Sequence, residues 1–172
     1  MIEHHSCPFA SRAVRALVLL HNEHLRRFLP VWKRAREANA PLPASSDPAY
    51  ASLDTLGRNV LGAAGGYATW VCDVLQLPAA GIRSAPEAAA IPDEADRYLE
   101  HVLARWNEAL RSVRDDQLET PEYPSRWGTR YSIDAMLEHA VMHPIRHTFQ
   151  LEELLEERPT GLRAESPRPR TY

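Results

Sequence analysis

Residues 131–157, YSIDAMLEHAVMHPIRHTFQLEELLEE, decide the fold. Met136, Ala140, His143, His147, Leu151 and Leu154 recur at three- and four-residue intervals. That period lines up one stripe of an α-helix. His139, His143 and His147 stand four residues apart. At 3.6 residues per turn each step of four rotates only about 40° around the axis, so consecutive rings are neighbours on the helix surface. Two imidazoles at this spacing can hold one metal ion. His143 and His147 fall on the apolar stripe itself. A buried imidazole without a partner is costly, so a shared ligand or a polar pocket explains the pair better than packing does. His139 lies beside them, toward Ile133 and Met136, and reads as a supporting residue. Pro144 removes the amide that would bond the Ala140 carbonyl and crowds that turn. The apolar phase still continues through Leu155, which predicts a helix that carries on past a kink next to the histidines.

The same period recurs upstream. Val14, Leu17, His21, Leu25, Phe28 and Trp32 mark a first helix over residues 9–38, with Pro30 inside it. A second helix, residues 51–76, has Leu53, Leu56, Val60, Tyr67, Val71 and Val74 on its apolar face. It also carries Gly57, Gly62, Gly65 and Gly66. Each glycine costs a helix about 1 kcal/mol relative to alanine, so the run implies close approach of another backbone or room for a ligand. A third helix starts near Asp93, read as its N-cap, and shows Leu99, Val102, Leu103, Trp106, Leu110 and Val113. His101 and Glu100 fall off that stripe and read as solvated. Ser132 reads as the N-cap of the fourth helix. Prolines and small polar residues mark loops at residues 39–50 and 77–93. The second of these is long and is expected to cross the end of the bundle. In residues 114–130, Tyr123, Trp127 and Tyr131 alternate with Arg126 and Arg130, which suits a loop over the bundle end that rims the pocket. No strand pattern and no repeat are present. The fold class is therefore all-α: one four-helix bundle domain over residues 1–157 with long connections, followed by a tail, 158–172, expected to be disordered.

Composition excludes several functions. The chain has 172 residues, a formal net charge of −3 and a pI near 6.2, which gives no electrostatic case for nucleic acid. No apolar run approaches the roughly 18–20 residues that span a bilayer. The opening MIEHHSCPFASR lacks a basic start followed by an apolar core, so no secretory signal is read. Cys7 and Cys72 form no disulfide framework or metal motif, which fits a reducing cytoplasm.

The last helix resembles that of the DinB/YfiT-like metalloenzymes, whose final helix carries H-x3-H followed three residues on by glutamine. Here those are His143, His147 and Gln150, with His139 one turn earlier. The resemblance extends over residues 9–157. It implies a four-helix bundle, often a homodimer, with a divalent metal, zinc or nickel, held by three histidines. The third comes from the second helix, where SLDTLGRNVLGAAGGYATWVCDVL resembles the family but has Asn59 at the expected histidine. An amide oxygen is a harder, weaker ligand than imidazole for these metals. Three outcomes stay open: Asn59 ligates weakly, another residue such as His21, His24 or Glu23 substitutes, or the metal is lost and a polar pocket remains. The resemblance further implies a small-molecule substrate and thiol-dependent S-transfer or hydrolysis, with a low-molecular-weight thiol such as bacillithiol or mycothiol. His139, Gln150 and His21 would line or orient the site. The alternative is a non-enzymatic, stress-related or ligand-binding bundle with a degraded metal site. A dimer would use surface tryptophans, for which Trp70 and Trp127 are the candidates.

Overall fold

The computed structural model describes residues 9–157. Cys7 and the expected tail lie outside them. Four helices dominate: α1 Arg12–Glu37, α2 Leu53–Val74, α3 Ile91–Ala109 and α4 Ile133–Glu156. Together they form an all-α bundle. Ser11 caps α1 by accepting the Val14 amide at 3.1 Å, and its hydroxyl bonds Asp115. Ser52 caps α2 by accepting from Thr55 N–H at 3.0 Å. Both are the hydroxyl caps that satisfy otherwise orphaned first-turn amides. α3 begins two residues before the expected Asp93, with Ala90 as its cap and Asp93 and Glu94 in the first turn, where they favour the positive helix end. Ser132 is the cap residue of α4, but its hydroxyl turns to Asp134 instead of a backbone amide.

The helix directions follow from contacts at their ends. Ala10 N–H donates to the Arg111 carbonyl, and Ile133 N–H to that of Leu118, so α1 and α4 start at the same end. Arg27 meets Glu152 further along both helices, so the two run parallel. Lys33–Asp96 and Arg26–Glu100 set α3 antiparallel to α1. α2 descends beside α3, with Trp106 Nε1–H donating to the Ala64 carbonyl at 2.8 Å. Two consecutive helices of the same direction need a connection that returns along the bundle. Residues 75–90 supply it. They do not cross the bundle end as expected: Ile82 lies against Gly65, Ala85 against Gly62, and the Pro86 carbonyl accepts from Arg58, in order up α2.

The sequence stripes become the core. Val14, Leu25, Phe28, Trp32, Leu56, Leu61, Trp106, Met136, Leu137 and Leu151 are fully buried. Burial of this apolar surface is the main favourable term in folding. α1 and α4 continue through Pro30 and Pro144, because the packed stripe on either side is worth more than the missing bond. The third loop holds a strand pair that periodicity does not reveal, β1 Tyr123–Pro124 with β2 Arg130–Tyr131, antiparallel. Trp70, read as a surface contact, is buried at 6 % exposure and donates to the Pro124 carbonyl; Trp127 is exposed. No helix among the described residues is long and apolar enough to cross a membrane.

Candidate functional site

His143 and His147 are neighbours on α4, His143 against Tyr67 of α2 and His147 against Tyr50 of the turn that precedes α2. Their ring centroids lie 4.8 Å apart at an interplanar angle of 81°. His147 is buried; its Nδ1 is 3.4 Å from the Tyr50 hydroxyl, which donates to Gln150 Oε1 at 2.8 Å. His143 is half-buried, and its Nδ1 is a buried polar atom with no hydrogen-bond partner. Tyr67 packs edge-on against both His139 and His143, with centroids 5.4 and 5.9 Å away. The loop aromatics close the lower end: Trp127 and Tyr131 lie 5.7 and 5.6 Å from His139. The basic-aromatic loop is therefore a rim of the histidine row. A groove of about 490 Å³ opens beside the row, lined by His139, Met142, His143, Arg146, Phe149 and Gln150 among others.

Burial and charge hold these imidazoles neutral. Desolvation is the largest cause at each. His143 is pushed down to about 3, with His147, Arg146, His139 and His21 adding to the shift. His147 is pushed down to about 4, with Arg146 adding and the neighbouring Gln150 amide opposing. His139 is lowered by burial and by Arg146. A neutral imidazole is the form that accepts a hydrogen bond or ligates a metal. Burial raises Tyr67 to about 12, so its hydroxyl stays protonated.

The other sequence candidates are elsewhere. Asn59 is exposed and lines a separate cleft with Arg58, Gly62 and Gly66. No hydrogen bond joins it to the histidines. The helical phase explains this: Val60, Ala64 and Tyr67 form the inward stripe, and Asn59 is rotated off it. His21 is fully buried, stacked on Trp106 at 3.7 Å, and neither ring nitrogen has a partner. Glu23 is exposed and His24 is half-buried. Among the described residues no three His, Cys, Asp or Glu side chains come together as a metal-holding group. The donor set present is thus two imidazoles, one with an unused buried nitrogen, with the hydroxyl of Tyr50 and the amide of Gln150 behind them. Tyr50 and Tyr67 carry no motif; Tyr50 is 97 residues from His147 and meets it only through the fold. His101, read as solvated, accepts the Arg83 amide at 3.0 Å.

No family model, no curated protein and no solved structure matches this chain. The functional reading therefore rests on the site itself.

Proposed function

We propose that this chain is a DinB-like, metal-dependent bundle in which His143 and His147 hold a divalent ion, zinc or nickel, and the remaining positions are left to water or a small thiol. The observation that supports this reading is the buried, unpartnered Nδ1 of His143 beside a second neutral imidazole. An orphaned buried nitrogen beside a second imidazole is open to a shared ligand. Tyr50 and Gln150 orient the His147 ring, as outer partners of metal ligands do. When bound, such an ion supplies a Lewis acid that favours thiolate or hydroxide at neutral pH. The reaction class would be thiol-dependent transfer or hydrolysis on a small molecule.

Metal analysis of untagged protein purified without chelators tests this. Near-stoichiometric zinc or nickel is expected, falling close to zero in both His143→Ala and His147→Ala. Protein that carries no metal and gains none on dialysis against zinc, nickel or manganese would sink the proposal. A second reading, a ligand-binding pocket that works without metal, is favoured by the exposed Asn59 and the missing third donor. Under that reading Asn59→His leaves metal uptake unchanged, and the two alanine variants alter ligand binding only.

A further inference from the structure

A second cleft, of about 390 Å³, lies on the outer side of α2 under the residue 75–90 strap. It shares no lining residue with the histidine groove. Three arginines, Arg58, Arg83 and Arg126, line it together with Asn59, Thr69 and Ser84, and no acidic side chain does. This is a local concentration of positive charge on a chain whose net charge is −3. Arg58 is partly engaged: its Nε donates to the Pro86 carbonyl at 3.1 Å and its Nη2 meets exposed Glu87 at 3.2 Å. Arg83 and Arg126 are exposed and form no ion pair with an acidic residue among the described residues.

The strap is fixed so that Arg83 stays at the cleft. Its amide donates to His101 Nε2 at 3.0 Å, and its carbonyl accepts from the Tyr98 hydroxyl at 3.0 Å. Gly65 and Gly62 let the strap lie close: an added Cβ would stand 2.8 Å from Ile82 and 3.1 Å from Ala85. Gly66 is different. Nothing lies within 4 Å of a Cβ there, so its missing side chain leaves room in the cleft. Burial raises the Tyr98 hydroxyl, while the positive charges of Arg83 and Arg58 act in the opposite direction.

We infer that the cleft between α2 and the strap binds a small oxyanion ligand, a phosphate- or carboxylate-bearing molecule, through Arg83 and Arg126 with Arg58 in support. Guanidinium groups match both oxyanions with paired, charge-assisted hydrogen bonds. The site is independent of the histidine pair.

Calorimetric titration of the full chain with pyrophosphate and with citrate at low ionic strength, against sodium chloride, tests the assignment and separates the two oxyanion sources. Saturable binding of at least one is expected. Arg83→Gln and Arg126→Gln should each weaken it about tenfold or more. Gly66→Leu, which fills the open space, should abolish it. Both arginines and Gly66 face open space, so circular dichroism should confirm that these variants remain folded. Arg27→Gln, which removes an α1 arginine paired with Glu152 of α4, should leave binding unchanged, as should His143→Ala. No saturable heat from either anion would overturn the inference. So would equal loss in Arg27→Gln, which would mean diffuse charge attraction, or loss in His143→Ala, which would move the ligand to the histidine groove.

Discussion

Gly57→Ala is expected to destabilise the bundle by about 2–4 kcal/mol, a large share of the roughly 5–15 kcal/mol that holds a domain folded. Gly57 is where α2 meets the indole of Trp32. An added Cβ would stand 2.6 Å from Trp32 Nε1 and 2.7 Å from its Cζ2. The indole cannot yield cheaply: Trp32 is fully buried, its Nε1–H donates to the Leu53 carbonyl at 2.6 Å, and Arg36 lies over the ring at 5.2 Å. Moving it breaks that bond and overpacks the core. The same substitution at Gly66 should act in the opposite direction. The added methyl meets nothing within 4 Å, and alanine is the better helix former by about 0.5–1 kcal/mol. Urea unfolding of the two variants gives a comparison within one helix. Similar shifts of the same sign in both would refute the close-approach account of Gly57.

The glycines show how far the sequence could be read. Four in one helix announced close approach or ligand room without saying which was where. The structure assigns close approach to Gly57, Gly62 and Gly65 and open space to Gly66. The difference depends on the indole of Trp32 and on a strap whose path is not periodic. The four helices themselves were legible because each carries a packed stripe long enough to set its phase. Two-residue strands are too short to leave such a signal, so the pairing of Tyr123 with Tyr131 could not be seen. The site was half legible. His143, His147 and Gln150 share one helix, where spacing fixes neighbourhood. Tyr50 and Tyr67 reach the histidines from other elements, and nothing local marks them. Asn59 was chosen by correspondence with a motif, whereas its side is set by the phase of α2, which turns Val60 inward instead. Trp70 was misjudged because an indole that donates to a loop carbonyl can sink almost wholly into the surface.

Acidification should unfold this bundle early, and His21 should account for much of the effect. His21 is stacked on Trp106 in the interior, with neither ring nitrogen hydrogen-bonded. Burial pushes it down to about 3 from an ordinary 6.5; His24 adds to the shift, and Asn22 is close enough to oppose it without making a hydrogen bond. The folded-state value is depressed, so as pH falls below 6.5 the unfolded chain takes up the proton first. Stability is therefore full above that value and is lost progressively toward pH 3. Each pH unit in that window removes about 1.4 kcal/mol for one such group. At about pH 5 the loss from His21 alone is about 2 kcal/mol, and His143 and His147 contribute with the same sign. His21→Phe keeps an aromatic ring against Trp106 and sacrifices no hydrogen bond. It should be more stable than the parent chain even at neutral pH by about 1 kcal/mol, because an unpaired buried polar group is removed. Its advantage should grow to about 3 kcal/mol at about pH 5. Urea unfolding at the two pH values measures both numbers, and metal uptake by the same variant should be unaltered. If the gap between variant and parent does not widen on acidification, His21 is not the group that couples this core to pH.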